Sequence, residues 1–168
     1  MNDFVPTADL CDANERLFDS GELQVMAPGL LRFGASGRFF GTAQTLKLFE
    51  DNTLLAQAVK ETGQGRVLVV DAGGSTRCAV LGGNLARSAA DNGWAGVIVY
   101  GAVRDVEEID ACALGVRALA VTPRRSVKRG EGQRDLVVSV CGALVRPGDW
   151  IYADRDGVLV SSQPLHLR

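Results

Sequence analysis

Arg66-Val-Leu-Val-Val-Asp71 and Gly96-Val-Ile-Val-Tyr100 are the two stretches that decide the fold. Each is a short, unbroken apolar run rich in β-branched residues, the pattern of a strand buried on both faces. The first runs into a glycine turn at Gly73–Gly74, and the second into Gly101-Ala-Val-Arg-Asp105. Between them, Gly83 or Asn84 opens a segment reaching about Asn92. There Leu85 and Ala89, and likewise Ala86 and Ala90, stand four apart, which makes one helix face apolar. Gly93 ends it. Strand, helix, strand at this spacing predicts a β-α-β unit with parallel strands and a right-handed crossover.

Working outward, Asp9–Phe18 reads as a short helix with Thr7 or Asp9 as its cap, and Phe39–Leu48 as a strand. Asp51 caps a further helix over about Asn52–Glu61, ended near Gly63. Beyond the core, Val106–Cys112 reads as a short helix, and Val116–Val121, Leu136–Val140 and Val158–Ser161 as strands. Arg146-Pro-Gly-Asp149 and Asp154-Arg-Asp-Gly157 are turns. The fold class is therefore α/β, with a parallel core and a strand-rich, more antiparallel C-terminal part.

The 168 residues amount to one domain, spanning 1–168, without repeats or low-complexity tracts. A hydrophobic fraction of 46% and a charged fraction of 23% are those of a globular protein able to bury a core without staples. A net charge of −2 argues against a dedicated nucleic-acid binder. Cys11, Cys78, Cys112 and Cys141 form no CxxC pair and read as reduced, mostly buried thiols. Met1–Thr7 shows no basic segment leading into an apolar one, and no apolar run nears the roughly 20 residues needed to span a bilayer. The expectation is a cytoplasmic protein with no membrane partner.

Ligands of open α/β sheets gather beyond the carboxyl ends of the strands. The topology brings the helix start at Gly82-Gly-Asn-Leu85 close to Arg104-Asp105 there. A helix N-terminus offers unpaired N–H groups and partial positive charge to a carboxylate or phosphate. Gly82 and Gly83 let a ligand approach the backbone. Arg104 can clamp the same anion, and Asp105 is a hard oxygen donor suited to Mg²⁺ or Mn²⁺, ions that keep most of their waters. Taken singly, each feature is more often structural: a Gly-Gly turn before a helix, an Arg-Asp surface pair. No Gly-x-Gly-x-x-Gly follows Asp71 and no Gly-Lys-Ser/Thr occurs, which disfavours Rossmann and P-loop readings. His166, the sole histidine, lies too near the end to suit a catalytic triad. Arg124-Arg-Ser-Val-Lys-Arg129 reads first as a solvated loop and second as a contact to a nucleic acid or an acidic partner, Glu107, Glu108 and Asp110 as a solvated helix face or outer-shell partners to a metal, and Trp94 and Trp150 as core or interface aromatics.

The spacing Gly83, twenty residues, Arg104-Asp105, two residues, Glu108 resembles the signature of the class II 4-hydroxy-4-methyl-2-oxoglutarate aldolase family, which also contains the ribonuclease E activity regulator A proteins. Leu68–Ser75, Trp94–Asp105, Phe49–Asn52, Thr122–Ser126 and the segments at Pro147–Asp149 and Tyr152–Gly157 carry further resemblance, nearly the length of the chain. The resemblance implies an α/β/β sandwich and a ring-shaped homotrimer. By position, the backbone amides of Gly82, Gly83, Asn84 and Leu85 would bind a 2-oxo-acid, Arg104 would contact the same group, and Asp105 would hold the divalent metal, with Glu108 in its outer shell. Because Asp105 and Glu108 are both present, the resemblance favours an active lyase over a non-catalytic regulator that binds ribonuclease E. An older menaquinone-pathway methyltransferase label within the family finds no S-adenosylmethionine loop here. The sequence departs from the longer aldolases at its C-terminus, where those carry a further acidic residue near a neighbouring subunit's site.

Overall fold

A computed structural model describes residues 4–167, leaving Met1–Asp3 and Arg168 outside it. In chain order, the elements are α1 (Thr7–Ala13), α2 (Arg16–Ser20), β1 (Leu23–Val25), β2 (Leu31–Phe33), β3 (Phe39–Lys47), α3 (Thr53–Ala58) and β4 (Val67–Asp71). Then come β5 (Ala79–Leu81), α4 (Gly83–Asp91), β6 (Gly96–Val103), α5 (Val106–Asp110) and β7 (Gly115–Val121). The C-terminal part holds β8 (Gln133–Arg134), β9 (Val138–Val140), β10 (Ala143–Val145), β11 (Trp150–Ala153) and β12 (Val158–Ser161).

The expected β-α-β unit is present: β4 and β6 run parallel through α4, with Val67 opposite Gly96 and Asp71 opposite Tyr100. They lie inside a curled mixed sheet of order β1-β12-β11-β3-β4-β6-β7-β2. The alternation of strand side chains explains the layers. Leu68 and Val70 of β4 pack with Leu55 and Ala58 of α3, Ala86 and Ala89 of α4 and Ile109 of α5. Val67 and Val69 point the other way, into Val138, Val140, Ala143, Val145, Ile151 and Val160. Both faces of β4 are thus buried, which is why its sequence is a continuous apolar run. Each such side chain contributes about 1.5–3 kcal/mol by burial. The mixed α/β architecture, with helices on one face and a second layer of strands on the other, matches the expectation. Among the described residues, no helix is long and apolar enough to cross a membrane.

Several local details differ from the sequence reading. The first helix breaks in two, and its N-terminus is capped from afar: the Thr7 amide and hydroxyl both donate to the Asp154 carboxylate, at 2.8 Å each. Propensity cannot reveal such a cap, since it lies 147 residues away in sequence. Asn52 rather than Asp51 is the N-cap of α3; Asp51, one residue earlier, accepts from the Thr53 amide at 2.9 Å and its hydroxyl at 2.7 Å, and the helix stops at Ala58. The strands β1, β2, β5, β8 and β10, none longer than three residues, escape any period-based reading. All four cysteines are free thiols, two buried and two half-buried.

A third cluster lies outside the β11–β12 pair, where Leu10 of α1 and Leu165 of the tail pack on Leu23, Tyr152 and Leu159. The tail is held by one hydroxyl. Tyr152 accepts from the Leu165 amide at 2.8 Å, and its oxygen sits 2.8 Å from His166 Nδ1, so a neutral ring in the tautomer with Nδ1 unprotonated can accept the tyrosine's own proton. Protonation of the ring removes that acceptor. Burial lowers the His166 pKa below its ordinary 6.5, so the folded protein binds fewer protons than the unfolded chain as pH falls past that value. Stability present above pH 6.5 is therefore lost on acidification through the folded-state pKa. Urea midpoints at pH 7.5 and 5.5 should drop more for wild type than for His166→Asn, whose amide oxygen accepts without titrating. Equal drops would contradict this account of the tail.

Candidate functional site

The site is built by the short strand β5. It pairs in parallel with the distal end of β6, with Ala79 opposite Ala102 and Leu81 opposite Val103. The next residue of each strand is then Gly82 on one side and Arg104 on the other, and the Arg104 amide donates to the Leu81 carbonyl at 3.0 Å. Sequence reasoning placed these residues in the crevice beyond β4 and β6. Adjacency in fact comes from β5, reached through the turn at Gly73 and Gly74, both in the left-handed region at φ 68° and 72°.

Gly82 is the extended N-cap of α4, and Asp105 is the N-cap of α5 in the left-handed conformation, φ 58° and ψ 46°. Aspartate tolerates this region better than most side chains, but it remains an uncommon conformation of the kind that clusters at functional positions. It turns the carboxylate back onto α4. Asp105 Oδ2 accepts the Gly83 amide at 3.1 Å and lies 3.9 Å from Arg104 Nε. Arg104 Nη1 reaches the Pro123 carbonyl at 3.5 Å. Glu108, one helical turn along α5, leans over Gly83 and lies 3.8 Å from Arg87. Two carboxylates and a guanidinium thus converge on one helix start. Arg104 and Asp105 keep 38% and 43% side-chain exposure, leaving them open to a ligand.

The glycines are required by this crowding. A Cβ at Gly82 would stand 2.7 Å from Asp105 Oδ2, and one at Gly83 would collide with the carboxylate of Glu108 and stand 2.7 Å from its Cβ. The Gly83 amide is occupied by Asp105, so the amides free of any helical partner in the first turn belong to Asn84 and Leu85. Asn84 is exposed, while the Leu85 side chain packs against the core and anchors the turn. Of the other acids, Glu107 faces solvent and Asp110 is structural, accepting the Gly34 amide at 2.8 Å.

Among the described residues no three His, Cys, Asp or Glu side chains converge as a preformed metal cage. The donors present suit a different kind of site. Mg²⁺ and Mn²⁺ are held by one or two carboxylates and otherwise by water and substrate oxygens. Asp105 could serve as such a carboxylate, with Glu108 behind Gly83 near enough to act in the outer shell.

The anchoring of one neighbouring segment, read in the sequence as a solvated loop, is visible only in the fold. The Arg124–Arg129 segment keeps exposed arginines but is no free loop. Ala79 N donates to Arg124 O at 2.7 Å, and the amides of Arg129 and Glu131 donate to Asp51 Oδ2 at 2.7 and 3.2 Å. Burial acts to raise the Asp51 pKa, but these bonds and those from Thr53 outweigh it and hold it at about 2. The anchored segment walls a cleft of about 500 Å³ with Glu50, Arg77 and Cys78. The sequence signal was the tight Arg124–Arg129 charge run, which composition alone assigns to solvent.

The family model described as RraA-like (Aldolase/RraA) matches residues 7–160. The chain belongs to this family. It is 57% identical over 159 residues to a Paraburkholderia phymatum protein named, provisionally, as a 4-hydroxy-4-methyl-2-oxoglutarate aldolase, covering 95% of this chain and 97% of that one. Its fold is similar to the RNA-processing inhibitor RraA from Thermus thermophilus, at a TM-score of 0.89 and 45% identity over 95% of this chain and 94% of that one. It is also similar to a Geobacillus kaustophilus protein described as an S-adenosylmethionine:2-dimethylmenaquinone methyltransferase, at a TM-score of 0.91 and 41% identity over 98% and 99% of the two chains. These relatives bear three different functional descriptions on one fold, so the fold does not choose between them.

Gly83→Ala should destabilise this RraA-like chain by about 1–3 kcal/mol, since Glu108 and the helix must shift to admit the methyl group. An unchanged urea midpoint would show that the α4–α5 corner is looser than described.

Proposed function

We propose that this protein is a divalent-metal-dependent carbon–carbon lyase, which cleaves 4-hydroxy-4-methyl-2-oxoglutarate to two pyruvates and decarboxylates oxaloacetate. The observation that carries the reading is the meeting of Arg104, Asp105 and the first turn of α4 at one exposed point. The naming of relatives 55–57% identical to it as aldolases supports it.

In this reading the substrate carboxylate lies against the amides of Asn84 and Leu85 at the positive end of α4. The 2-oxo oxygen faces Arg104. Breaking the C3–C4 bond leaves its electron pair on the pyruvyl fragment as an enolate, which then takes a proton at C3; when a second pyruvate departs, the 4-hydroxyl gives its proton to water, whereas departure of carbon dioxide needs no such proton loss. Arg104, held at its backbone by Leu81 and at its tip by Pro123, meets that charge without having to reorganise. Asp105 would hold Mg²⁺ or Mn²⁺, which supplies Lewis-acid polarisation of the 2-oxo acid when bound. Glu108 would orient the metal's waters. The assembly would be a homotrimer, which a mass measurement in solution tests directly.

Asp105→Ala is expected to abolish Mg²⁺-dependent pyruvate release from oxaloacetate while circular dichroism stays that of the wild type. Retained, EDTA-sensitive turnover in that variant would refute the assignment of Asp105. Arg104→Ala should lower kcat by about 10²–10³-fold, the scale for removing one donor to a developing oxyanion. A change confined to KM would mean that Arg104 serves binding alone.

The likeness to an RNA-processing inhibitor favours a second reading, a regulator that binds ribonuclease E without catalysis. Co-purification of the nuclease with Asp105→Ala, together with metal-independent inhibition, would favour it.

A further inference from the structure

Arg117 stands where the architecture calls for an apolar side chain. Its neighbours in β7, Val116 and Ala118, face the helical layer. Arg117 faces the opposite way, in register with Ile98 of β6, which packs between the strand layers. It is 2% exposed. Its guanidinium lies 5.1 Å from the Phe39 ring centroid and donates to the carbonyls of Val116, Gly37 and Asp154 at 3.0–3.2 Å. Burial first, and the nearby Arg32 second, bring its pKa down to about 10 against the opposing pull of Asp154, so it stays cationic at neutral pH.

Among the described residues no carboxylate oxygen lies within ion-pair reach of it, about 4 Å. Asp154, whose carbonyl it touches, has its carboxylate occupied by the Thr7 amide and hydroxyl and by the Asp156 amide. The residue opposite Arg117 in the antiparallel β2–β7 pair is another arginine, Arg32. Like charges directly opposite across strands are destabilising, and a buried charge without a counter-charge is costly. Both arginines line one cavity of about 230 Å³, with the Met26–Leu30 loop on one side and Arg155 and Asp156 on the other.

We propose that this cavity is a binding site for a small oxyanion, a carboxylate or phosphate group, held by Arg117 at its floor and by Arg32 and Arg155 at its rim. Its volume is below the ~300–1,000 Å³ of pockets for larger organic ligands, which limits the occupant to a compact anion. The exposed guanidinium groups of Arg32 and Arg155 can match either oxyanion bidentately, whereas Arg117, whose Nη2 already serves two carbonyls, offers Nε and the remaining Nη1 hydrogen as single donors. The site is distinct from that at Gly82–Asp105. Arg117 lies near the start of β7, at the amino ends of the parallel strands and on the strand-layer face, whereas Arg104 and Asp105 follow the carboxyl end of β6 beside the helices.

The test is titration of the full-length, ¹⁵N-labelled protein with sodium phosphate and, separately, sodium malonate at constant ionic strength. It is run on wild type, Arg32→Ala and Arg104→Ala. Arg32 is exposed, so its removal leaves the fold intact. The expected result is saturable shifts of the amides of Ala27, Gly29, Leu30, Arg155, Asp156 and Gly157. Their midpoint should rise about tenfold in Arg32→Ala, as for one lost charge-assisted bond, and stay unchanged in Arg104→Ala. The anion saturating at the lower concentration identifies the preferred group. No saturable shift at these amides with either anion, or equal midpoints in wild type and Arg32→Ala, would overturn the proposal. So would a smaller assembly of Arg32→Ala in sedimentation velocity, which would show that a carboxylate of a second copy fills the cavity.

Discussion

Double-sided burial of β4 is the constraint on which the rest of this protein depends. Its five residues are all buried, with the apolar ones divided between a helical layer and a second layer of strands. A parallel strand of this kind cannot be satisfied by local structure. It needs partners on both edges, supplied by β3 and β6, and cover on both faces. Once that pairing forms, α4 must cross above it to connect β4 to β6, and the second layer must close below. Asp71, at the end of β4, shows how the strand is terminated. Its carboxylate takes the Gly73 amide at 2.9 Å and Lys47 Nζ at 3.1 Å, and the chain then turns through glycine toward β5.

The corner that gathers Gly82, Gly83, Arg104 and Asp105 is a consequence of that turn. Returning as β5 beside the end of β6, the chain delivers a helix start and an Arg-Asp pair to the same place without any loop having to be held by a ligand. The backbone itself is organised around the carboxylates. Gly82 and Gly83 leave room that any side chain would fill, and the left-handed Asp105 directs its oxygen to the Gly83 amide. Preorganisation of this sort is what charge-stabilising catalysis needs, because donors already in place incur no reorganisation when charge appears.

The polar groups away from this corner follow a different logic. Asp51 and Asp154 are carboxylates used as anchors. Each ties a nearby amide to a distant one: Asp51 joins Thr53 to Arg129 and Glu131, and Asp154 joins Asp156 to Thr7. Such bonds to an ionised acceptor are stronger than neutral ones and fix irregular segments that no sheet register controls. Arg117 differs in kind, a buried cation bonded to three carbonyls with, among the described residues, no carboxylate oxygen within ion-pair distance.

The sequence by itself determined the parallel core, because buried strands and an amphipathic helix leave periodic apolar patterns at Arg66–Asp71, Gly83–Asn92 and Gly96–Tyr100. It also singled out Gly82, Gly83, Arg104, Asp105 and Glu108 by residue type and spacing, and the fold brings them together. It did not reveal β5 or β2, three residues each, for which no period can be counted. Nor did it show that the Arg124–Arg129 run is anchored by Asp51, or that Arg117 is buried opposite Arg32. Those facts depend on which distant segments meet: Asp51 and Arg129 lie 78 residues apart in the chain, and Arg32 and Arg117 lie 85 apart. Local propensity acts over a few residues; only the closed sheet brings such partners within bonding distance.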